Sequence, residues 1–278
     1  MPCSICKQEG HKANNKKFHH NFEIIKKDKL EKKQINDSLV LEEKLRSEII
    51  TNNLPKVLEI CSIPSSIDIN YLKEKVKIYM DGRKEFYTES GRNPYIEDEF
   101  SEFWLAKASK GKQIGKGSGG MDIQTNSNEG IDAMCVVMNK SNTSNEKSLM
   151  QNFKTAGENL DTLFKEKKDK EAIELFTNEY ITKIKKTKEN NKLTDLYILS
   201  FISTKTNVFI VCFKLYIDRI SNVKSLGFTE QCKNIKTDNF IDSKLGDIRL
   251  YKSKKRLELR FKKNILNDTN IVNIYDIS

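Results

Sequence analysis

The chain has 278 residues, 37% of them hydrophobic, which is enough for one large domain or two small ones with a buried core. Its 49 Lys and Arg outnumber 39 Asp and Glu, and the net charge of +10 favours an anionic partner such as nucleic acid. A run of about eighteen apolar residues is missing, and the opening MPCSICKQEGHK lacks the apolar stretch of a secretory leader, so membrane insertion and secretion are not expected and an intracellular protein is.

All three histidines, His11, His19 and His20, and two of the six cysteines, Cys3 and Cys6, fall within residues 1–22. Cys3-Ser-Ile-Cys6 offers two thiolates from one tight turn, and His11 completes the spacing C-x2-C-x4-H, a donor set suited to tetrahedral Zn²⁺. The segment resembles the zinc knuckle of retroviral-type nucleocapsid proteins. Where that pattern ends in cysteine this chain has Lys16, so His19 or His20 is expected to supply the fourth ligand from a longer loop. The resemblance implies folding coupled to the metal and contact with single-stranded nucleic acid or a protein partner. The remaining cysteines, Cys61, Cys135, Cys212 and Cys232, are solitary in sequence, as free thiols are, and no disulfide framework is expected.

A charged helix or helix pair is expected over 22–53, within a helical region of 23–92. Between Pro55 and Pro64, VLEICSI reads as a strand or buried turn. A helix should start near Ser66 and stop near Gly82, with Tyr71, Leu72, Val76, Tyr79 and Met80 inward. An α/β domain is then expected over 93–278. Asn93-Pro94 suits a helix start, with Ile96, Phe100, Phe103 and Trp104 as its core stripe. IDAMCVVM, 131–138, reads as a buried strand. Thr143-Ser-Asn-Glu146 fits a capping box that opens a helix carrying Leu149, Phe153, Leu160 and Phe164. A further helix spans 171–188, LYILSFIS and NVFIVCFKLYI form a hairpin, and RLYKSKKRLELRFKK forms a strand or hairpin with one basic face.

Six of the twelve glycines lie in Gly111–Gly130. Gly115-x-Gly117-x-x-Gly120 matches GxGxxG, but it follows a helix and leads into an extended MDIQ, the reverse of a dinucleotide loop. A phosphate-binding P-loop fails too, because Lys110 stands where its first glycine is required. What remains is a helix, a flexible basic turn, a short strand with Asp122, a turn, an apolar strand opened by Asp132, and a helix. Two carboxylates on adjacent antiparallel strands suit Mg²⁺, which prefers a sparse oxygen site where it keeps waters for chemistry.

GGMDIQ and GIDAMCVVM resemble the two motifs of the PD-(D/E)xK nuclease superfamily, the fold of many restriction endonucleases. The resemblance implies a mixed central sheet flanked by helices, with Asp122 and Asp132 as catalytic ligands of Mg²⁺. The family's lysine position is Met134 here. The basic group is therefore expected from the capped helix, as Lys147 or Lys154, with Gln151 as an orienting group on the same stripe. Glu97 or Glu99 is expected as an additional helix acid, with Glu102 pointing away. Lys112 and Lys116 in the turn, and Lys254, Lys255 and Arg256 in the basic strand region, are expected to touch phosphates. DNA is the partner implied, and a homodimer would let two sites cut two strands. The alternative is a non-catalytic nucleic-acid-binding protein built on the zinc knuckle and the basic face. With no histidine after His20, a Ser-His-Asp or Cys-His centre in the main domain is excluded, and Cys135 is expected to be inert core.

Overall fold

The computed structural model describes residues 54–115, 120–139, 141–150, 154–229, 231–253 and 255–276, together with Lys27, Lys33 and Asp37. The chain divides into two units, Met1–Leu54 and Pro55–Ser278. In the first, Lys27, Lys33 and Asp37 are helical and exposed. The zinc donors Cys3, Cys6, His11, His19 and His20, and most of the helix expected over 22–53, lie outside the described residues.

The second unit carries β1 (Leu58–Cys61), α1 (Ile69–Asp81), α2 (Lys84–Ser90), α3 (Asp98–Ala108), β2 (Lys112–Gln113), β3 (Ile123–Gln124), β4 (Gly130–Val137) and β5 (Lys147–Met150). It continues with α4 (Lys154–Lys165), α5 (Asp169–Asn190), β6 (Leu196–Ser203), β7 (Asn207–Leu215), β8 (Lys224–Phe228), β9 (Asn234–Asp238), β10 (Gly246–Tyr251), β11 (Arg256–Phe261) and β12 (Val272–Asp276). One sheet runs β1-β7-β6-β4-β3-β2, with β12 also on β7; the other runs β5-β11-β10-β9-β8. The first is mixed, because β4 and β6 are parallel while its other pairs are antiparallel. Such a parallel pair needs a long crossover, which here contains β5, α4 and α5. The architecture is thus mixed α/β, a mixed sheet flanked by helices.

Strands β4, β6 and β7 are apolar runs because both faces are covered. Ile131, Ala133, Cys135, Phe201 and Ile210 pack with Leu72, Val76 and Met80 of α1 and Trp104 and Leu105 of α3. Met134, Val136, Ile198, Val211 and Phe213 pack with Phe176, Tyr180 and Ile184 of α5 and with Ile248, Leu250, Leu257 and Leu259 of the second sheet. In that second sheet β10 alternates strictly between buried and half-buried residues. Its other face carries the registered pairs Asp247↔Arg260 and Arg249↔Glu258.

Several expectations change. Strand β1 pairs with β7 and α1 packs into the same core as α3, so residues on both sides of position 92 share one unit rather than a helical region and a separate α/β domain. The helix placed at Asn93-Pro94 begins at Asp98, and the Asn93 amide donates instead to Met138 O at 3.0 Å. Its buried face is Ser101, Trp104, Leu105 and Ala108, which leaves Phe100 39% and Phe103 50% exposed. The capped helix expected from Thr143 is instead the strand β5, and α4 starts only at Lys154. Ser144 and Glu146 have other partners: the Ser144 hydroxyl accepts from Phe261 N–H at 2.9 Å, and Glu146 accepts from Tyr251 and Arg260.

Candidate active site

Strand β3 pairs with β4 at Ile123↔Ile131 and Gln124↔Gly130. One step further along this antiparallel register, Asp122 stands against Asp132. The geometry is fixed by the backbone: Asp122 N–H donates to Ile131 O at 2.9 Å, and Asp122 Oδ2 accepts from Ala133 N–H at 2.9 Å. The glycine turn accommodates this pair. Both Ile114 N–H (2.7 Å) and Gly115 N–H (3.1 Å) donate to Asp122 O, and a Cβ on Gly115 would lie 2.9 Å from Met121 O and 3.0 Å from Asp122 Oδ1. Gly115 is therefore required by its close approach to the Met121–Asp122 backbone and to the Asp122 carboxylate.

The two carboxyl groups influence each other: their mutual hydrogen bond lowers Asp122 and raises Asp132. Burial pushes Asp132 well above the usual carboxylate range, and the charge of Asp122 adds to it. Asp122 is also raised by burial, against hydrogen bonds from Asp132 and the Ala133 N–H. A third acid joins them from α3. Burial, followed by the charges of Asp122, Asp98 and Glu99, pushes Glu102 up to about 7.

Glu102 was expected to point away, and the structure reverses that. Because the buried face of α3 is centred on Ser101 and Leu105, Asp98 and Glu102, one helical turn apart, border the pair. Glu99 is exposed and contributes only its charge; Glu97 is tied to Arg83 at 3.0 Å. The signal available in the sequence was the i, i+4 spacing of Asp98 and Glu102 beside a small residue, Ser101.

Lys147 is brought in by a strand rather than a helix. Its register against Leu259 of β11, with Ser144 N–H on Phe261 O (2.8 Å) and Asn145 N–H on Val137 O (3.0 Å), ties β5 to the end of β4. The Lys147 ammonium bonds Asp98 Oδ2, and its charge opposes the shifts of Asp122, Asp132 and Glu102. The helical stripe of Lys147, Gln151 and Lys154 does not exist. Lys147 is in β5, Lys154 opens α4, and Gln151 lies outside the described residues.

The residues expected to touch phosphates are dispersed. Lys112 is exposed on β2, Lys116 and Lys254 lie outside the described residues, Lys255 pairs with Asp161 at 3.3 Å, and Arg256 pairs with buried Glu258 at 2.6 Å. Cys135 is core, its thiol pushed up to about 12 by burial.

Whether this cluster suits a divalent cation is decided by its charge and its orphaned oxygen. Asp98, Glu102, Asp122 and Asp132 face one ammonium, and Asp98 Oδ1 is buried without a hydrogen-bond partner. Of these acids the Asp122–Asp132 pair is the part comparable with a Mg²⁺ site, since that ion binds through one or two carboxylates plus water and substrate phosphate. Among the described residues, no group of three or more His, Cys, Asp or Glu is placed to hold a metal ion.

No family model, curated protein or solved structure matches this chain. The functional reading therefore rests on the site itself. Among the described residues, no helix is long and apolar enough to cross a membrane.

Proposed function

We propose that the chain is a Mg²⁺-dependent endonuclease that hydrolyses DNA phosphodiester bonds in the manner of restriction-type PD-(D/E)xK enzymes. One observation carries the reading: Asp122 and Asp132 meet across β3 and β4 beside the Lys147 amine. The element order behind the resemblance also supports it, since α3, the strand with Asp122, the strand with Asp132, a crossover and the β6–β7 hairpin occur in that sequence within one mixed sheet.

Asp122 and Asp132 would hold the Mg²⁺, with Asp98 or Glu102 contributing to its charge balance. When bound, the ion would lower the pKa of an attacking water and neutralise charge on the phosphate. Lys147 places a positive charge where the transition state gains negative charge. Glu102, with its carboxyl near neutrality, is suited to take a proton from water at the pH where the other acids are engaged. Loss of metal would leave the Asp122–Asp132 pair hydrogen-bonded and inactive.

The test is cleavage of duplex and single-stranded DNA with and without Mg²⁺. Cutting that needs the ion and disappears in Asp122→Asn and Asp132→Asn is expected. The competing reading is a non-catalytic nucleic-acid-binding protein, supported by the net charge of +10. DNA binding without cleavage in Mg²⁺ or Mn²⁺ would select that reading.

A further inference from the structure

Cys61 ends β1, and Cys212 lies directly opposite it on β7, the last pair of the register Leu58↔Leu215 to Cys61↔Cys212. Directly opposed residues of antiparallel strands have Cα atoms about 4.5–5.5 Å apart, inside the window a disulfide requires. The two sulfur atoms are 3.7 Å apart, so a side-chain rotation without backbone movement can join them. Neither of the other described cysteines has such a neighbour: Cys135 is enclosed in the core and Cys232 is exposed in the loop before β9.

The two thiols are unequal in access. Cys61 is half-buried with solvent on one side, whereas Cys212 is fully buried behind it. They are also unequal in acidity. The hydrogen bond with Cys212 holds Cys61 below its ordinary value against the effect of burial, and Lys214 assists through its backbone and its charge. The hydrogen bond with Cys61, followed by burial, pushes Cys212 up. An accessible, more acidic thiol in contact with a shielded one is the division of labour of an attacking and a resolving cysteine.

We propose that Cys61 and Cys212 form an oxidation site at which a hydroperoxide closes a reversible disulfide between β1 and β7. The Cys61 thiolate attacks one peroxide oxygen; an S–O bond forms, the O–O bond breaks, and the departing oxygen takes a proton and leaves as water or alcohol. The Cys212 sulfur then displaces the sulfenic hydroxyl. The S–S bond forms as the S–O bond breaks, and the Cys212 proton leaves with that hydroxyl as water. Two thiols are oxidised by two electrons and one peroxide is reduced. A dithiol reductant reverses the step by thiol–disulfide exchange.

The structural effect follows from topology. One edge of β7 is shared by two strands: β12 covers Asn207 to Ile210 and β1 covers Cys212 to Leu215. Among the described residues, β7 is the one strand that β1 pairs with, and Leu58 N–H reaches Phe240 O at 2.8 Å on its other side. A covalent bond at Cys61 would fasten this edge strand to the sheet centre and close a loop around α1, α2, α3 and the carboxylate cluster.

The experiment treats the full-length reduced protein with graded hydrogen peroxide, blocks free thiols at acidic pH and digests with trypsin without reductant. The expected product is Val57–Lys73 joined to Thr206–Lys214, in roughly tenfold or greater excess over any pairing with Cys135 or Cys232, because proximity sets the effective concentration. Dithiothreitol should remove it, and the oxidised protein should unfold at higher urea concentration than the reduced one. Cys212→Ser should leave Cys61 as a sulfenic acid trapped by dimedone. Should Cys61 stay reduced, pair preferentially with Cys232, or overoxidise while Cys212 remains free, the proposal is overturned. The wild-type digest decides even where a serine variant fails to fold.

Discussion

Two clusters of acids in this molecule have opposite electrostatic environments. At the junction of β3, β4 and α3, Asp98, Glu102, Asp122 and Asp132 face the single ammonium of Lys147, and Glu102 is pushed up to about 7, chiefly by burial. On the polar face of the second sheet, Asp247, Glu146 and Glu258 are matched by Arg249, Arg260 and Arg256. There burial works to raise Glu146, yet it is drawn down to about 2 by the hydrogen bond from Tyr251 and by the charge and hydrogen bond of Arg260. The second cluster is paired and serves the fold. The first carries an excess of acidic groups over its one ammonium, the kind of imbalance the proposed function would use.

The largest effect that would break this contrast is on activity. Asp122→Asn and Asp132→Asn should each lower Mg²⁺-dependent cleavage by about 10³-fold or more, read as initial rates on duplex DNA. The same Asp132→Asn change should raise stability by about 1 kcal/mol in urea titration, since it removes a buried acid that burial disfavours in its charged form. A loss of stability would mean that the pair is structural. In the second sheet the sign reverses. Glu258→Ala strands Arg256 against a buried site and should cost about 3–5 kcal/mol, with no requirement that chemistry be lost in the fraction that remains folded.

Gly115→Ala sharpens the geometry. Its methyl would enter the space against Asp122 Oδ1, so cleavage should fall about 10²-fold while circular dichroism stays native. A smaller effect comes from pH. Glu102 ordinarily titrates at 4.5 and here at about 7, so the folded chain binds more protons over that range and this group makes stability fall as pH rises through it. Glu146 is shifted the other way, from 4.5 to about 2, so its contribution is complete above 4.5 and is lost as pH falls towards 2. Urea midpoints across pH 2–8 should therefore decline on both sides of roughly pH 4–5, and Glu102→Gln should flatten the neutral side alone.

Much of the fold was legible wherever periodicity was local. VFIVCF and LYILSF declared strands covered on both faces, Asp68 and Gly82 bound α1 close to where composition placed it, and α5 follows its apolar stripe. The errors arose where distant partners override local chemistry. Thr143 to Glu146 has the composition of a helix cap, yet Ser144 and Glu146 are claimed by Phe261, Tyr251 and Arg260, more than a hundred positions away. In α3 the four apolar residues nearest the start suggested a core face, and the turn-apart acids Asp98 and Glu102 were assigned to solvent or passed over for Glu99. The carboxylate pair itself was legible, because Asp122 and Asp132 bracket a short antiparallel turn. Lys147 was legible as a residue but not as a strand residue.

The placement of Lys147 has a temporal consequence. Asp98, Glu102, Asp122 and Asp132 all precede residue 133, whereas the strand that seats Lys147 is β11, whose last residue is Phe261. During synthesis the acids emerge first and must wait for nearly the whole unit before the ammonium can be fixed beside them. A ribosome-bound chain lacking β11 would hold the cluster of carboxylates without its cation, so the site would be assembled only after β11 has emerged.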